Sequence, residues 1–425
     1  MFFDKNSKIM LLQFSIKNYR TFKNRVTLSF IASNYDKGTR ENENIYVNEK
    51  FGFRLLKSAV VYGANASGKS NLFDAFDFMR SFTINSSKEG QKGDSISVEP
   101  FRMSTETENE PSEFEVIFLY NNILYRYGFE ATYQKIISEW LFCKPETKEI
   151  ELFYRDGDNF DIHERNFIKG KTIVKEGLVR DNALLLSVAA QFNEKTAITI
   201  IDWFERLLTV SGLYTSYYRD FTTKQVEKPK YKAMILELLK AADLGIQDFK
   251  LHKLDIDEPI NVITSHKKYN SNKTVIDNIS FSLDDEESAG TTKFFALAGP
   301  ILDAIENGYT LIVDELDSSL HPNLVCKIVS IFNSKDFNRK NAQLIFNTQN
   351  TNLLSSGLFR RDQIWFIEKD KYGEAKLYSL ADFKSKKVRK NESYEDKYIK
   401  GKYGAVPYLN FFDNLINTFS YENEK

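Results

Sequence analysis

The sequence predicts an α/β fold with a mixed N-terminal β lobe, a core sheet of parallel strands and a short helical insertion. Three patterns predict it. Runs that alternate apolar and polar residues recur in pairs through the first part of the chain. Short runs that are apolar throughout lead into loops and amphipathic helices. A stretch of helical spacing separates the two regions.

Met10 to Ile16 and Val26 to Ile31 alternate on either side of the polar stretch KNYRTFKN and read as paired strands. Ser58 to Tyr62 is a short apolar run ending in Gly63. Beyond the loop, Leu72, Phe73, Phe76 and Met79 recur at the spacing of one helix face. Between Phe114 and Tyr133 two alternating runs bracket Asn121-Asn122, a hairpin signal, and Ile136 to Phe153 adds strands. From Asn182 the spacing becomes helical through ALLLSVAAQF and TAITIIDWFERLL, and Tyr231 to Ala242 continues it. Strands return beyond Gly245. They are followed by a helix from about Ser288 to Asn307, an apolar strand at Tyr309 to Val313 and another at Gln343 to Phe346. The expected division is an N-terminal lobe (1–190), a helical arm or lid (191–245), a C-terminal lobe (246–385) and a Lys/Tyr-rich tail (386–425), partly mobile.

Hydrophobic residues make up 42% and charged residues 28% of the 425, which excludes wholesale disorder. Lys and Arg total 58 against 59 Asp and Glu, so no global basic field argues for general nucleic-acid binding. No apolar run approaches the roughly 18 residues a membrane helix needs, and MFFDKNSKIM lacks a secretory pattern. A cytoplasmic protein is expected, without a membrane partner. Cys143 and Cys326 stand alone and read as inert thiols.

Gly63-Ala64-Asn65-Ala66-Ser67-Gly68-Lys69-Ser70 satisfies the phosphate-loop pattern between a strand and a helix, the context the chemistry requires. Glycines let backbone N–H groups turn inward around phosphate oxygens, and the helix N-terminus adds its positive dipole end. Lys69 neutralises the β/γ charge, Ser70 is a Mg²⁺ ligand, and Asn71 follows in the first helical turn. Leu311-Ile312-Val313-Asp314-Glu315 is a buried-strand run ending in two acids, a Walker B pattern. In it Asp314 takes the Mg²⁺-linked role and Glu315 polarises water.

With both motifs in order, the sequence resembles the ABC-type ATPases of the SMC, RecF and OLD kind, with likenesses spread over nearly the whole chain. The resemblance implies an ABC-type P-loop ATPase head that binds ATP and Mg²⁺. Ser288-Ala289-Gly290-Thr291 resembles the signature that reaches across a dimer to the partner's γ-phosphate, with Ser288, Gly290 and Thr291 as its contacts. Asp317-Ser318-Ser319-Leu320-His321-Pro322 resembles the D-loop, with Asp317 coupling the two sites and His321 structural. Asn347-Thr348-Gln349-Asn350 stands where related ATPases present a histidine switch, and Gln349 occupies the histidine position. A Gln amide donates a hydrogen bond but cannot become a cation, so slow hydrolysis is expected. Lys17-Asn18-Tyr19-Arg20 matches the opening strands of the family, where Arg20 approaches the nucleotide. No Q-loop glutamine is placed.

Within that class the likeness is greatest to phage-defence ATPases of the abortive-infection AbiLi, Rlo and PARIS type. The tail carries part of it, through Ile364 to Lys369 and Tyr398 to Pro407. The resemblance implies a homodimer or higher homo-oligomer joined through the nucleotide sites, acting as sensor and assembly subunit beside a separately encoded effector. A RecF-like repair ATPase that binds DNA is the alternative, with Lys384 to Arg389 and Lys397 to Lys402 as its basic cluster. An OLD-type nuclease is set aside, because Asp255 and Asp257 form only an isolated pair of acids.

Overall fold

The computed structural model describes residues 9–211, 216–242, 245–252, 260–383 and 393–407. Asp255, Asp257 and the Lys384–Arg389 cluster lie outside them.

The first sheet is antiparallel and seven-stranded. Its spatial order is Asn159–Ile162, Ile150–Asp156, Ile136–Lys144, Ile123–Ala131, Ser112–Tyr120, Ile9–Lys17 and Val26–Ser29. The opening pair is the expected one, with Gln13 opposite Ser29 and Ile16 opposite Val26. In Ser112–Tyr120 the alternation buries Phe114, Val116 and Phe118. The hairpin turn has φ +51° at Asn121 and +58° at Asn122. A two-residue turn with both φ positive matches the right-handed twist of its strands, and Asn tolerates that region.

The second sheet has the order Leu207–Ser211, Thr310–Asp314, Gln343–Asn347, Ser58–Tyr62, Ile364–Lys369 and Ala375–Ser379. The first five run parallel and the last is antiparallel to its neighbour. Every residue of Ser58–Tyr62 is buried, as a strand covered on both faces requires. Ala59, Val61, Ile312 and Ile345 face the core shared with the antiparallel sheet. Val60, Leu311, Val313, Leu344 and Phe346 face a second core, built with helices Ala289–Asn307 and Pro322–Asn333. Helix Lys69–Asn85 lies in the first core and buries Leu72, Phe73, Phe76 and Met79. The rings of Phe14 and Phe76 stack there at 3.7 Å.

The stretch 191–245, expected as a helical arm or lid, is built differently. Helix Lys195–Glu205 buries Ala197, Ile200, Trp203 and Phe204, and Trp203 stacks on Phe118 at 3.8 Å. Leu207–Ser211 then enters the parallel sheet beside Thr310–Asp314. Helix Ser216–Val226 is pinned to helix Ala289–Asn307, where the Thr222 hydroxyl donates to the Ala296 carbonyl at 2.8 Å. Helix Pro229–Ala241 buries Ile235 and Leu239 in the second core. The apolar faces of these helices are buried within the head.

Asp248–His252, Asn261–Tyr269 and Val275–Ser282 form a separate three-stranded sheet that precedes the Ser288 helix. The tail, expected to be partly mobile, is packed over 393–407, where Tyr398, Tyr403 and Ala405 join the second core. Among the described residues no helix is long and apolar enough to cross a membrane.

Candidate nucleotide site

The site forms where the parallel strands end. Ser58–Tyr62 delivers the loop Gly63 to Ser70, in which Ala66 has φ +58° and Gly68 φ +106°. A Cβ on Gly68 would lie 2.5 Å from the Thr21 hydroxyl, so the loop runs flush against the N-terminal lobe. Asn65 and Ala66 are exposed at the crest, and the helix starts at Lys69 with its first amides lacking intrahelical partners. Lys69 is buried, and its Nζ donates to the carbonyls of Gly63 at 2.7 Å and Ala64 at 3.0 Å. Burial lowers its pKa, against the attraction of Glu315, Asp314 and Asp317. The hydroxyl of Ser67 is buried with no hydrogen-bond partner. A cation folded onto its own loop and an orphaned hydroxyl beside helix-end amides fit a phosphate group.

The Ser70 hydroxyl donates to Asp314 Oδ1 at 3.3 Å, joining positions 244 residues apart. Such an oxygen pair suits a hard divalent cation that keeps its other positions for phosphate and water. Asn347, fully buried at the end of Gln343–Asn347, holds the acidic corner from the next strand. Its Nδ2 donates to Asp314 Oδ1 and its Oδ1 accepts from the Glu315 amide. Glu315 sits at φ +56°, and Lys293 Nζ donates to its carbonyl at 2.8 Å. Lys293 is buried on helix Ala289–Asn307, and burial lowers its pKa to about 8 against the pull of Asp317 and Glu315. A strained backbone position persists when its surroundings over-determine it, and here two side chains grip it from opposite sides.

The segments expected as switch and D-loop meet through the Gln349 amide, which donates to Asp317 Oδ2 at 3.2 Å, while the Gln349 residue itself is exposed. Thr348 donates its amide to the Val61 carbonyl at 3.2 Å, tying this segment to the phosphate-loop strand. On the signature helix the Ser288 hydroxyl accepts from the Thr291 amide at 3.1 Å and pairs with the Thr291 hydroxyl at 2.9 Å. Ser288 is exposed and Thr291 buried, so the helix end opens outward. A Cβ on Gly290 would lie 2.7 Å from the Ser319 carbonyl oxygen, which seats the signature on the Asp317–Ser319 loop. His321 caps the next helix through Nδ1, which accepts from the Asn323 amide at 3.2 Å, in keeping with a structural part.

Arg20 is brought beside the loop, but its guanidinium is engaged. It pairs with Asp74 on the phosphate-loop helix and with Glu99 at 3.1 Å. Asn71 Nδ2 donates to the Thr21 hydroxyl at 3.0 Å. Arg20, Thr21, Asn71, Glu99 and Met103 line an open cleft of about 360 Å³ there. Sequence reasoning placed Asn347 only as the start of the switch segment, and missed Lys293, Asp74 and Glu99 as parts of this constellation. Lys293 left a signal, as the one charge within AGTTKFFALAGPIL. The segment after Leu207–Ser211, where the chain leaves the sheet beside Asp314, falls at 212–215, outside the described residues.

Several solved structures are similar to the chain at a TM-score of 0.40. The SMC head domain from Thermotoga maritima is 12% identical, with 87% of this chain and 98% of that one covered. The SMC head bound to the C-winged helix domain of ScpA is 13% identical over 87% and 97%. An SMC head domain with an extended coiled coil, bound to the C-terminal domain of ScpA derived from Pyrococcus furiosus, is 13% identical over 87% and 96%. No curated protein matches the chain. Residues 58–355, which include Gly63–Ser70, Ser288–Thr291, Asp314-Glu315 and Gln349, match the family model described as "AAA domain, putative AbiEii toxin, Type IV TA system", and the chain belongs to that family.

Proposed function

We propose that the chain binds ATP with Mg²⁺, hydrolyses it slowly, and does so in composite sites completed by the signature of a second copy. The observation that carries this reading is the Ser70–Asp314 pair at 3.3 Å, beside a lysine that holds only its own loop's carbonyls. Lys69 exchanges those carbonyls for the β- and γ-phosphates, and Gly63, Asn65, Ala66, Ser67 and Gly68 wrap the phosphate chain. Ser70 and Asp314 would hold Mg²⁺, whose charge would offset that of the phosphates. Glu315 orients or deprotonates the attacking water, from a backbone gripped by Asn347 and Lys293. Gln349 donates to the γ-phosphate without supplying a positive charge, which keeps turnover slow. Ser288, Gly290 and Thr291 present an outward helix end to the partner's nucleotide, and Asp317 couples the two sites. Arg20 and Asn71 border the same site from the N-terminal lobe.

The biological reading is a sensor and assembly subunit of an anti-phage, abortive-infection system that controls a separate effector. The family description, which names a type IV toxin–antitoxin system, supports a growth-arrest setting. The near-neutral charge favours this over DNA clamping by a RecF-like repair ATPase, because neutralising phosphates needs a concentrated basic face. Light scattering tests the assembly. Glu315→Gln, with ATP and Mg²⁺, should rise in mass to a dimer or more and stay there. Lys69→Ala should neither bind ATP nor change mass. An unchanged mass for Glu315→Gln with bound ATP would sink the composite-site reading, and retention of duplex DNA by the ATP-bound form would put repair first.

A further inference from the structure

We infer that the C-terminal element Ser393–Val406 positions the switch segment of the nucleotide site, with Glu395 and Tyr62 as the positioning residues. This rests on the nucleotide reading above and assigns that site a control point outside its own motifs.

Two contacts lead from the site to the tail. Glu395, on the short helix Tyr394–Ile399, spans two hydroxyls: Thr351 donates to one carboxylate oxygen at 2.9 Å and Ser355 to the other at 2.7 Å. Thr351 directly follows the Asn347–Asn350 segment, and Ser355 ends the helical turn Asn352–Ser355. Tyr62 makes the second contact. It is the last residue before Gly63, it is buried, and its hydroxyl donates to the Asn350 carbonyl at 3.1 Å. Its ring lies 5.6 Å from that of Tyr398, which stacks on Phe366 at 5.4 Å and donates its hydroxyl to the Ala405 carbonyl at 3.0 Å.

Gln349 directly precedes these two anchored residues. Its neighbour Asn350 is held by Tyr62, and Thr351 beyond it is held by Glu395, so Gln349 is presented from a segment fixed by groups it does not itself touch. A change in the Gln349 backbone on nucleotide binding alters the Asn350 carbonyl and the Thr351 hydroxyl, and both report to the tail. Coupling of this kind is reciprocal, so anything that binds 393–407 biases the switch in return. A charge-assisted acceptor bridging two hydroxyls is also directional, whereas the Tyr62–Tyr398–Phe366 ring cluster provides rigidity without direction.

The test uses the full chain as parent, Tyr62→Phe, Glu395→Gln and Glu395→Ala. Equilibrium ATP–Mg²⁺ binding, steady-state hydrolysis and thermal midpoint are measured for each. Tyr62→Phe keeps the ring packing and removes one oxygen, so it should fold as the parent does. The expected result is ATP affinity within about twofold of parent, with kcat altered about fivefold or more. The Glu395 effect should be larger for Ala than for Gln, which keeps one acceptor oxygen. Unchanged kcat in all three variants, with or without a lower thermal midpoint, would reduce these contacts to structural ones and overturn the inference. Hydrogen exchange of the 393–407 peptide, with and without a non-hydrolysable ATP analogue, supplies a readout independent of turnover. Exchange should change on binding in the parent and stay constant in Glu395→Ala. A parent that binds but does not hydrolyse removes the hydrolysis reading alone and leaves the exchange arm to decide. A parent that binds no nucleotide removes both.

Discussion

Buried lysines show how one residue type is set to different tasks by its surroundings. Lys69 and Lys293 are both buried and both donate to backbone carbonyls, Lys69 within its own loop and Lys293 across to Glu315. Each therefore keeps a partner that can hold an ammonium. Lys57 differs. It is 1% exposed just before the strand Ser58–Tyr62, and burial together with nearby Lys335 pushes its pKa down to about 8. Its proposed site role is none, so its cost falls on stability alone. Holding that ammonium in the fold at neutral pH costs on the order of 3 kcal/mol, taking about 1.36 kcal/mol per pH unit of displacement. Lys57→Met keeps the length of the side chain and removes the charge, and should raise the urea midpoint at pH 7. The folded group loses its proton near pH 8 and the unfolded one near 10.5, so between those values the unfolded chain binds more protons. Parent stability from this group thus rises with pH over that window, and the advantage of Lys57→Met should shrink by pH 10. An advantage that is constant with pH would show that the mutation acts through packing rather than through the buried charge.

At the scale of elements, the start of helix Ala289–Asn307 is the point where local preference and tertiary packing disagree. Inside a helix Gly is less favourable than Ala by about 1 kcal/mol, so propensity alone makes Gly290→Ala stabilising. The added Cβ would meet the Ser319 carbonyl oxygen at 2.7 Å, and that oxygen is backbone, which does not swing aside. Gly290→Ala should therefore lower the thermal midpoint and weaken ATP-dependent assembly while ATP affinity stays within a few-fold of parent. A higher midpoint with normal assembly would mean that the Asp317–Ser319 loop yields. The same contrast explains which elements the sequence disclosed. The Asn121-Asn122 hairpin, Ser58–Tyr62 and the Ser288–Asn307 helix were legible because a turn chemistry, an all-apolar run or a cap names each one locally. Leu207–Ser211 was not, because LLTVS continues the apolar spacing of the helix before it, and only the neighbour Thr310–Asp314 makes it a strand. In the site, the phosphate loop and Asp314-Glu315 carry their chemistry in consecutive residues. Asn347 and Lys293 act through partners 32 and 22 residues away from them on Glu315, so no spacing rule contains them.

For the whole molecule, the Gln343 side chain joins the two sheets in addition to the core they share. Gln343, fully buried at the start of the switch strand, accepts from the Leu11 amide through Oε1 at 2.7 Å. Its Nε2 donates to the carbonyls of Leu11 and Leu56 at 3.0 Å each. One amide thus closes a backbone gap between the opening strand of the antiparallel sheet and the parallel sheet that bears the site. The apolar core continues across the same junction, with Leu11, Phe14 and Phe76 in one cluster with Ala59, Ile312 and Ile345. Gln343→Leu preserves volume but leaves a buried N–H and two carbonyls without that partner. With each orphaned group costing about 1–3 kcal/mol, the total loss should be roughly 3 kcal/mol or more. Because the apolar cluster spans both sheets, the lost amide should weaken the whole rather than release one lobe. In urea, near-UV and far-UV signals of Gln343→Leu are expected to fall together, at a lower midpoint than in the parent. Separation of the two signals, with the antiparallel lobe melting first, would mean that the Gln343 amide rather than the shared core makes the lobes one cooperative unit. Nucleotide affinity measured below the new midpoint then distinguishes the consequences. It should be near that of the parent if the lobes still unfold as one, since Thr21, Arg20 and Asn71 would still meet across the loop, and weaker if the lobe that carries Arg20 and Thr21 has separated.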